Sequence, residues 1–579
     1  MLMREAAAAR YPMAGDAQGW YSLVSNATAG ARYAFCIDGK HVVPDPASRW
    51  QSGDVHDPSV VIDPCEWQWS DHAWRGRPWE EAVFYEVHVG AFSPSGDFNG
   101  VASRLDYLAD LGVTALQLMP VADFPGACNW GYDGALLFSP DRRYGTPNQL
   151  KALVDAAHSR GLMVFLDVVY NHFGPEGNYL HLYAPQFFTH AHHTPWGAAI
   201  NFDGAHSRVV RDFFIHNALY WLEEYHFDGL RLDAVHAIVD DSPTHILEEL
   251  AERVQRSVGQ QRRIHLVLEN DANQAHYLRR DARGTPARYV AQWNDDSHHA
   301  LHVLLTGEVQ GYYRDYAVAP AVHFARALAE GFAYQGEASE YRGGARRGET
   351  SADLPATAFV AFVQNHDQVG NRALGERLNE LISREAWQAA LAVTLLAPAA
   401  PLLFMGQEWA AREPFLFFCD FEAGLVESVR DGRRREFAQF AAFADAAARE
   451  AIPDPCARET FSACVLAWRA CEDAQSQACL ALHRQLLALR RRRVVPLLPA
   501  LLAGHARYRV FGSTGIEVDW PAQQGVLRLA ANLGVAATRY DGPLRGEIIY
   551  RSHAADPSLQ QDVLRAWEVI WQWVEPAAL

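Results

Sequence analysis

Residues Gly229-Leu230-Arg231-Leu232-Asp233-Ala234-Val235-His236 decide how this chain is read. Apolar residues alternate with small or charged ones, Asp228-Gly229 opens the run, and a helical pattern follows it. That pattern predicts a short buried strand with Asp233 projecting from its C-terminal end and Arg231 two residues back on the same face. A buried arginine beside a buried aspartate is costly unless something holds the two together. Taken alone, the pair reads equally well as a structural ion pair at a strand end. Other strands of the chain end in the same way, and that repetition shifts the reading.

Outward from this stretch, the chain beyond residue 82 alternates strand and helix patterns, which marks a parallel sheet. Buried-strand patterns lie at residues 83–89, 115–120, 163–169, 229–234, 264–269, 289–293, 358–363 and 402–405, with helical patterns such as 150–160 and 209–225 between them. Eight such units predict an α/β protein built on a (β/α)8 TIM barrel. A doubly wound open sheet is the alternative, but no GxGxxG turn follows an early strand. Residues 171–208, rich in His, Pro and aromatic side chains, read as a structureless loop inserted after the third strand; long loops of this kind are usually functional.

The flanks differ from the barrel. Residues 1–78 read as a partial N-terminal β-sandwich domain, with alternation at 20–24 and 32–37 and a hairpin turn at Asp38-Gly39. The tryptophans within residues 67–79 suit a linker packed down by aromatics. The barrel domain is assigned to residues 79–457. Residues 458–579 open with a helical segment to Arg493, whose run of arginines from 490 is read as a solvated helix end. They finish in short alternating runs at 508–511, 526–529 and 546–550, a C-terminal antiparallel β domain. The apolar run 389–405 is broken by Pro398 and Pro401 and reads as helix end, turn and buried strand, not as a membrane span.

Lys plus Arg number 51 against 69 Asp plus Glu, a net charge of −18, which argues against nucleic acid or an anionic membrane as the main partner. Seventeen Trp tilt the composition towards sugar stacking or a large aromatic core. The first residues hold no apolar signal region, so a cytoplasmic location is expected, and a monomer. The eight cysteines contain no CxxC and are read as reduced thiols; Cys456, Cys464, Cys471 and Cys479 recur at a spacing that suits one helix face.

In a barrel of this type the reactive side chains sit at the C-terminal strand ends. There the chain places Asp167 to His172, Arg231 to Asp233, Glu269 to Asp271, Asn365 to Asp367, and Gln407-Glu408. Asp233, Glu269 and Asp367 meeting at one mouth would repel and raise one another's pKa values, which a purely structural role does not call for. Clustered carboxylates without metal-ligand spacing suit glycoside hydrolysis, where retention needs a nucleophilic carboxylate and an acid/base carboxyl about 5–5.5 Å apart. A magnesium site is the competing reading, and Arg231 and His366 beside the acids disfavour it.

These segments, DVVYNH at 167–172, GLRLDAVH at 229–236, Glu269-Asn270 and QNHD at 364–367, resemble the sequence signatures of the α-amylase superfamily, glycoside hydrolase family 13. The resemblance implies Asp233 as nucleophile, Glu269 as general acid/base and Asp367 as transition-state stabiliser. His172, Arg231 and His366 would line the subsite for the non-reducing-side glucose. Arg231 would keep Asp233 ionised, as a nucleophile requires, and Glu269 would start protonated. Narrower stretches at 85–90, 129–134, 193–202, 268–271, 292–296, 369–372 and 404–409 resemble the malto-oligosyltrehalose trehalohydrolase family. The function implied is cleavage of the α-1,4 bond beside a terminal α,α-trehalose, with malto-oligosyltrehalose as the partner and no cofactor. A branching or debranching enzyme is the alternative, and a catalytically silent glucan-binding barrel is the alternative from another class.

Tyr132 is read as a stacking platform under a subsite sugar, and Trp196 as a product-side stacking residue. Asp167, His236, Asp295, Asp296 and Glu408 are further candidates for substrate contact. His190, His192 and His193, and His298 with His302, could be taken for metal ligands; no ligand set completes them, so no metal is expected. Two departures from the family pattern stand out. Its N-terminal sandwich is expected to begin well before residue 20, and Ser297 stands where a bulkier residue is expected, loosening a trehalose-side subsite.

Overall fold

The computed structural model describes residues 2–4, 7–17, 19–194, 196–438, 440–542, 546–553 and 562–575. Eight parallel strands form the barrel: β1 Phe84–Val87, β2 Ala115–Leu118, β3 Met163–Val168, β4 Gly229–Leu232, β5 His265–Leu268, β6 Ala291–Trp293, β7 Phe359–Phe362 and β8 Ala400–Phe404. Neighbours follow chain order, and β8 closes on β1 through Leu402↔Phe84, Leu403↔Tyr85 and Phe404↔Glu86. Closure rules out the open doubly wound sheet. Every strand expected from the sequence is present, with ends shifted by a residue or two.

Register sets up the site. Asp167 of β3 lies opposite Arg231 of β4, and Leu232 opposite Leu268 of β5, so Asp233 and Glu269 emerge side by side. Gly229 allows this approach: a Cβ there would meet the His265 carbonyl and the Phe165 ring, each at 2.2 Å.

Helices cover the barrel. Helix α1, Pro147–Ser159, starts in a capping box between Thr146 and Gln149, with Pro147 at its first position. It buries Leu150, Leu153 and Val154, at about 1.5–3 kcal/mol for each large apolar side chain. Helix α2 is Ser207–Glu224, α3 is Asp295–Thr306, α4 is Arg384–Leu396, α5 is Ala423–Phe437 and α6 is Ala474–Leu489. The insertion after β3 is not structureless. It holds a short helix, Leu180–Tyr183, and a hairpin pairing Phe188–Thr194 with Gly197–Ile200.

The tryptophan-rich linker closes the barrel from below, as its aromatics suggested. Trp69 stacks on His226 at 3.8 Å, Trp74 stacks on His158 at 4.8 Å and donates to Asp228 at 2.7 Å, and Trp79 donates to the Thr357 carbonyl at 2.7 Å. Before it the chain is β-rich, including the hairpin Phe35–Ile37 with His41–Val43 turned by Asp38 and Gly39 at φ 50° and 72°. At the far end a five-stranded antiparallel sheet runs from Arg507–Phe511 to Val569–Val574 and docks on α4 through Trp571, which donates to the Ala392 carbonyl at 3.0 Å.

Two expectations fail here. Of the arginine run, Arg491 and Arg492 are exposed as expected, but Arg490 is buried, and its guanidinium donates to the carbonyls of Leu395, Ala397 and Ala399, capping the end of α4. The four C-terminal cysteines do not share a helix face. Cys456 lies in a loop, Cys464 ends the helix Arg458–Ala463, Cys471 sits in a 3-10 turn, and only Cys479 is in α6. All eight thiols are free. Among the described residues no helix is long and apolar enough to cross a membrane.

Candidate active site

The C-terminal mouth of the barrel opens into a cleft of about 640 Å³ whose lining includes Tyr132, His172, Trp196, Asp233, His236, Glu269, Asp295 and Asp367. Its floor is organised by Arg231, which is fully buried. Nη1 donates to Asp167 at 2.8 and 2.7 Å and to Asp233 at 2.8 Å, while Nη2 donates to Glu269 Oε2 at 2.8 Å. The guanidinium lies 4.3 Å from the centre of the Trp293 ring of β6, a flat support that fixes its plane. One cation thus holds three strand-end carboxylates.

Each acid sits in a distinct setting. Glu269 Oε2 also accepts the Ala234 N–H at 2.8 Å, leaving Oε1 free. Burial raises the Glu269 pKa, with Arg231 opposing and Asp233 adding to the rise. Asp233 Oδ2 accepts from Asn171 at 3.3 Å. Ala234, in the left-handed region at φ 40°, bends the chain between them. Asp367, in the first turn after β7, accepts from Asn371 at 3.2 Å, and burial raises its pKa too. Burial pushes Asp295 well above the carboxylate range, helped by Glu269, Asp271 and Asp367.

A second cation sits opposite. His366 Nδ1 donates to Glu86 Oε1 at 2.7 Å, and Nε2 donates to the Tyr132 hydroxyl at 2.8 Å, which in turn donates to Asp167 at 2.8 Å. Burial alone would lower the His366 pKa, but the Asp367 and Glu86 carboxylates outweigh it and raise it to about 9. The Tyr132 ring stacks on His366 at 5.1 Å and lines the cleft. Trp196, half-exposed at the tip of the inserted hairpin, stacks on His172 at 5.0 Å; His172 is anchored to the Tyr132 carbonyl at 3.0 Å.

The expected residues divide by position. Asp233, Glu269, Asp367, Tyr132, His172, Trp196, His236 and Asp295 reach the cleft. Arg231, His366 and Asp167 lie directly beneath it and bond to groups that do. Asp296 and Glu408 are corrections. Asp296 is buried away from the cleft, taking the Arg347 guanidinium at 2.6 Å and the backbone N–H groups of Ala333 and Tyr334 at 2.8 and 3.0 Å. Glu408 is buried behind β1, accepting the hydroxyls of Tyr85 and Tyr107 at 3.0 Å. Ser297 is buried in the first turn of α3 and does not line the cleft, so it cannot loosen a subsite directly.

Sequence reasoning passed over several cleft groups. Glu86, buried beneath the cleft where it holds His366, was signalled only as an acid inside an apolar strand. Asp271 lies two residues past Glu269 and is held ionised by Arg347 and Arg342 against the opposing effect of burial. Tyr312, Tyr341 and Arg342 come from the segment between β6 and β7, and Arg433 and Glu436 from α5; no local pattern marks them. Among the described residues, two groups outside the cleft could hold a cation by their donor sets, His192 with Asp203 and Asp241, and His56 with Glu176 and Glu422. His298 and His302 belong to neither: His298 Nδ1 donates to the Val363 carbonyl and His302 pairs with Glu308.

Comparison with known proteins finds relatives over most of the chain. Residues 68–183 match the family model for the alpha amylase catalytic domain, and residues 503–571 match a domain of unknown function, DUF3459. The malto-oligosyltrehalose trehalohydrolase of Saccharolobus solfataricus is 41% identical over 483 residues, covering 83% of this chain and 81% of that protein. That of Deinococcus radiodurans is 44% identical over 474 residues, covering 82% and 76%.

The chain belongs to the malto-oligosyltrehalose trehalohydrolase family.

The family is one of glycosidases within the α-amylase superfamily, and its fold extends to solved structures. A Salmonella typhimurium protein provisionally described as an alpha amylase superposes with a TM-score of 0.92 at 45% identity, covering 97% of this chain and 94% of that one. A pullulanase from Paenibacillus barengoltzii superposes at 0.68 with 18% identity, a likeness of fold alone. The cleft sets carboxylates whose pKa values burial raises, Glu269, Asp295 and Asp367, beside aromatic faces, an arrangement able to act on an acetal.

Proposed function

We propose that this chain hydrolyses the α-1,4-glucosidic bond next to the terminal α,α-trehalose of malto-oligosyltrehalose, with retention, releasing trehalose and a malto-oligosaccharide. Asp233 is the nucleophile, Glu269 the general acid/base and Asp367 the stabiliser of the oxocarbenium-like transition state. Tyr132, His172, His366 and Arg231 shape the subsite that receives the glucose to be transferred, and Asp167 buttresses Arg231. Trp196, His236 and Asp295 contact sugar further along the cleft.

The observation that carries this reading is the shared guanidinium. Asp233 on Nη1 and Glu269 on Nη2 are held by adjacent nitrogens of one planar group. That fits the ~5 Å carboxyl separation of retaining enzymes better than the ~6.5–9.5 Å that admits a water in inverting ones. Both donors to Glu269 fall on Oε2, so Oε1 can carry the proton that goes to the leaving glucosyl oxygen. Asp233 then attacks the anomeric carbon, and Glu269, now ionised, takes a proton from the incoming water. Asp367 faces the charge that develops on the ring. The reaction needs no cofactor beyond these side chains.

The same reading treats the chain as a cytoplasmic monomer with domains at 1–78, 79–457 and 458–579. The test is a product assay with maltopentaosyl-trehalose and, separately, maltoheptaose. Trehalose from the first with little cleavage of the second is expected; equal cleavage of both overturns the specificity.

A further inference from the structure

After β8 the chain leaves the barrel wall, forms α5 and returns near residue 456. Among the described residues from 420 to 455, only Arg433, Phe437, Ile452 and Pro455 are buried. This thinly anchored excursion nevertheless supplies Val429, Arg433 and Glu436 to the cleft wall, beside Phe417.

Its two ends meet at a pair of cysteines. Cys419 Sγ lies 3.7 Å from Cys456 Sγ, and the Cys419 N–H donates to the Pro455 carbonyl at 3.1 Å, so the two backbones are already neighbours. Cys419 is buried and Cys456 half-buried. We propose that Cys419 and Cys456 are a redox dithiol, which peroxide converts to a disulfide that staples the excursion closed along the cleft wall.

The geometry asks little of the fold. Reaching a bond of about 2.05 Å needs an approach of about 1.7 Å, which rotation of the half-exposed Cys456 side chain can supply. The hydrogen bond with Cys419 lowers the Cys456 pKa, which makes Cys456 the attacking sulfur. Its thiolate attacks one oxygen of hydrogen peroxide, forming the sulfenic acid and releasing hydroxide. The Cys419 thiol then attacks that sulfur; the S–S bond forms as the sulfenic oxygen departs with the thiol proton as water. The bond closes a chain separation of 37 residues, removing open conformations of the excursion while leaving Asp233, Glu269 and Asp367 untouched.

Cys128 is the competing partner, because the preceding Ala127 N–H donates to Asp420 at 2.7 Å. The test treats the full chain with hydrogen peroxide, alkylates remaining thiols and maps peptides by mass. A Cys419–Cys456 cross-link that dithiothreitol reverses is expected, together with several-fold slower tryptic cleavage after the exposed Arg435. Cys128→Ser should keep both effects. Cys419→Ser should lose both and leave a sulfenic acid on Cys456 that a dimedone probe traps. Absence of the cross-link, a cross-link to Cys128, or an unchanged cleavage rate in the cross-linked protein overturns the proposal.

Discussion

Replacing Arg231 by lysine tests the floor of the cleft most directly. The guanidinium makes four charge-assisted bonds to three carboxylates from a fully buried position. A lysine keeps the charge but has one nitrogen, so it cannot span Asp233 and Glu269 together. Losing two such bonds at about 1.5–3 kcal/mol each gives roughly 3–6 kcal/mol. Spent on the transition state, that is a fall of roughly 10²–10⁴-fold in kcat/KM. The pH profile carries the sharper sign. Arg231 lowers the Glu269 pKa at present, against burial, and withdrawing its contact lets that pKa climb. As the proposed acid, Glu269 then stays protonated to higher pH, and the basic limb of kcat/KM moves upward. Initial rates of trehalose release between pH 4 and about 9 measure this. Arg231→Met, which leaves three buried acids without their cation, should in addition cost about 3–5 kcal/mol of stability by denaturant unfolding. A near-normal rate for Arg231→Lys, or a basic limb that moves to lower pH, refutes the shared-guanidinium reasoning.

Other outcomes follow from the same geometry. Asp233→Asn and Glu269→Gln should each lower turnover by several orders of magnitude with folding intact by circular dichroism, and near-normal rates in either would remove the assigned role. Glu86→Gln takes away one of the carboxylates holding the His366 pKa near 9, so alkaline loss of activity should set in at lower pH than in the parent. At the barrel bottom, burial lowers the His158 pKa, but the hydrogen bonds it donates to Asp228 and Asp71 outweigh burial and raise it. The folded pKa exceeds the unfolded one, so its stabilisation is complete below the unfolded value of about 6.5 and is lost as pH rises through the folded value. His158→Gln should therefore lower Tm more at pH 6 than at a pH above the folded value, and an equal loss at both would contradict this. Gly229→Ala should prevent folding or lower Tm severely, since the added methyl meets backbone at 2.2 Å.

The barrel was legible because its strands are buried on both faces and end in charge. A run such as Gly229 to Leu232, apolar but for Arg231 and closed by an acid, has few other readings. Strand ends were less legible as pointers to the cleft, because chain direction changes there. Asp296 follows Asp295 on α3, and one helical step turns a side chain by about 100°, so the first faces the cleft and the second faces Arg347. Glu408 follows Gly406, whose φ of 82° turns the chain back behind β1. The arginine run near 490 read as solvated because charge at a helix end usually is; the free carbonyls at the end of α4 claimed Arg490 instead. Arg347, Arg342 and Tyr341 reach the cleft from distant sequence, and pairings of that kind leave no local period to read.

The acids of the cleft also explain why its cations matter so much. An oxocarbenium-like centre is favoured by surrounding negative charge, yet buried carboxylates placed together relieve their repulsion by taking up protons, and neutral acids stabilise nothing. Arg231 and His366 resolve this by unequal attachment. Arg231 binds Asp233 through one nitrogen and Glu269 through the other, while His366 spends both its protons on Glu86 and Tyr132 and leaves Asp367 at 3.5 Å, near enough to be favoured as an anion but not neutralised by a short bond. Glu269, with one oxygen outside these bonds and its pKa raised by burial, is then disposed to hold a proton. In the proposed mechanism acid and nucleophile are distinguished by how the two cations are shared out, and Glu86, which does not line the cleft, helps set the pH range over which that distinction survives by holding the His366 pKa up.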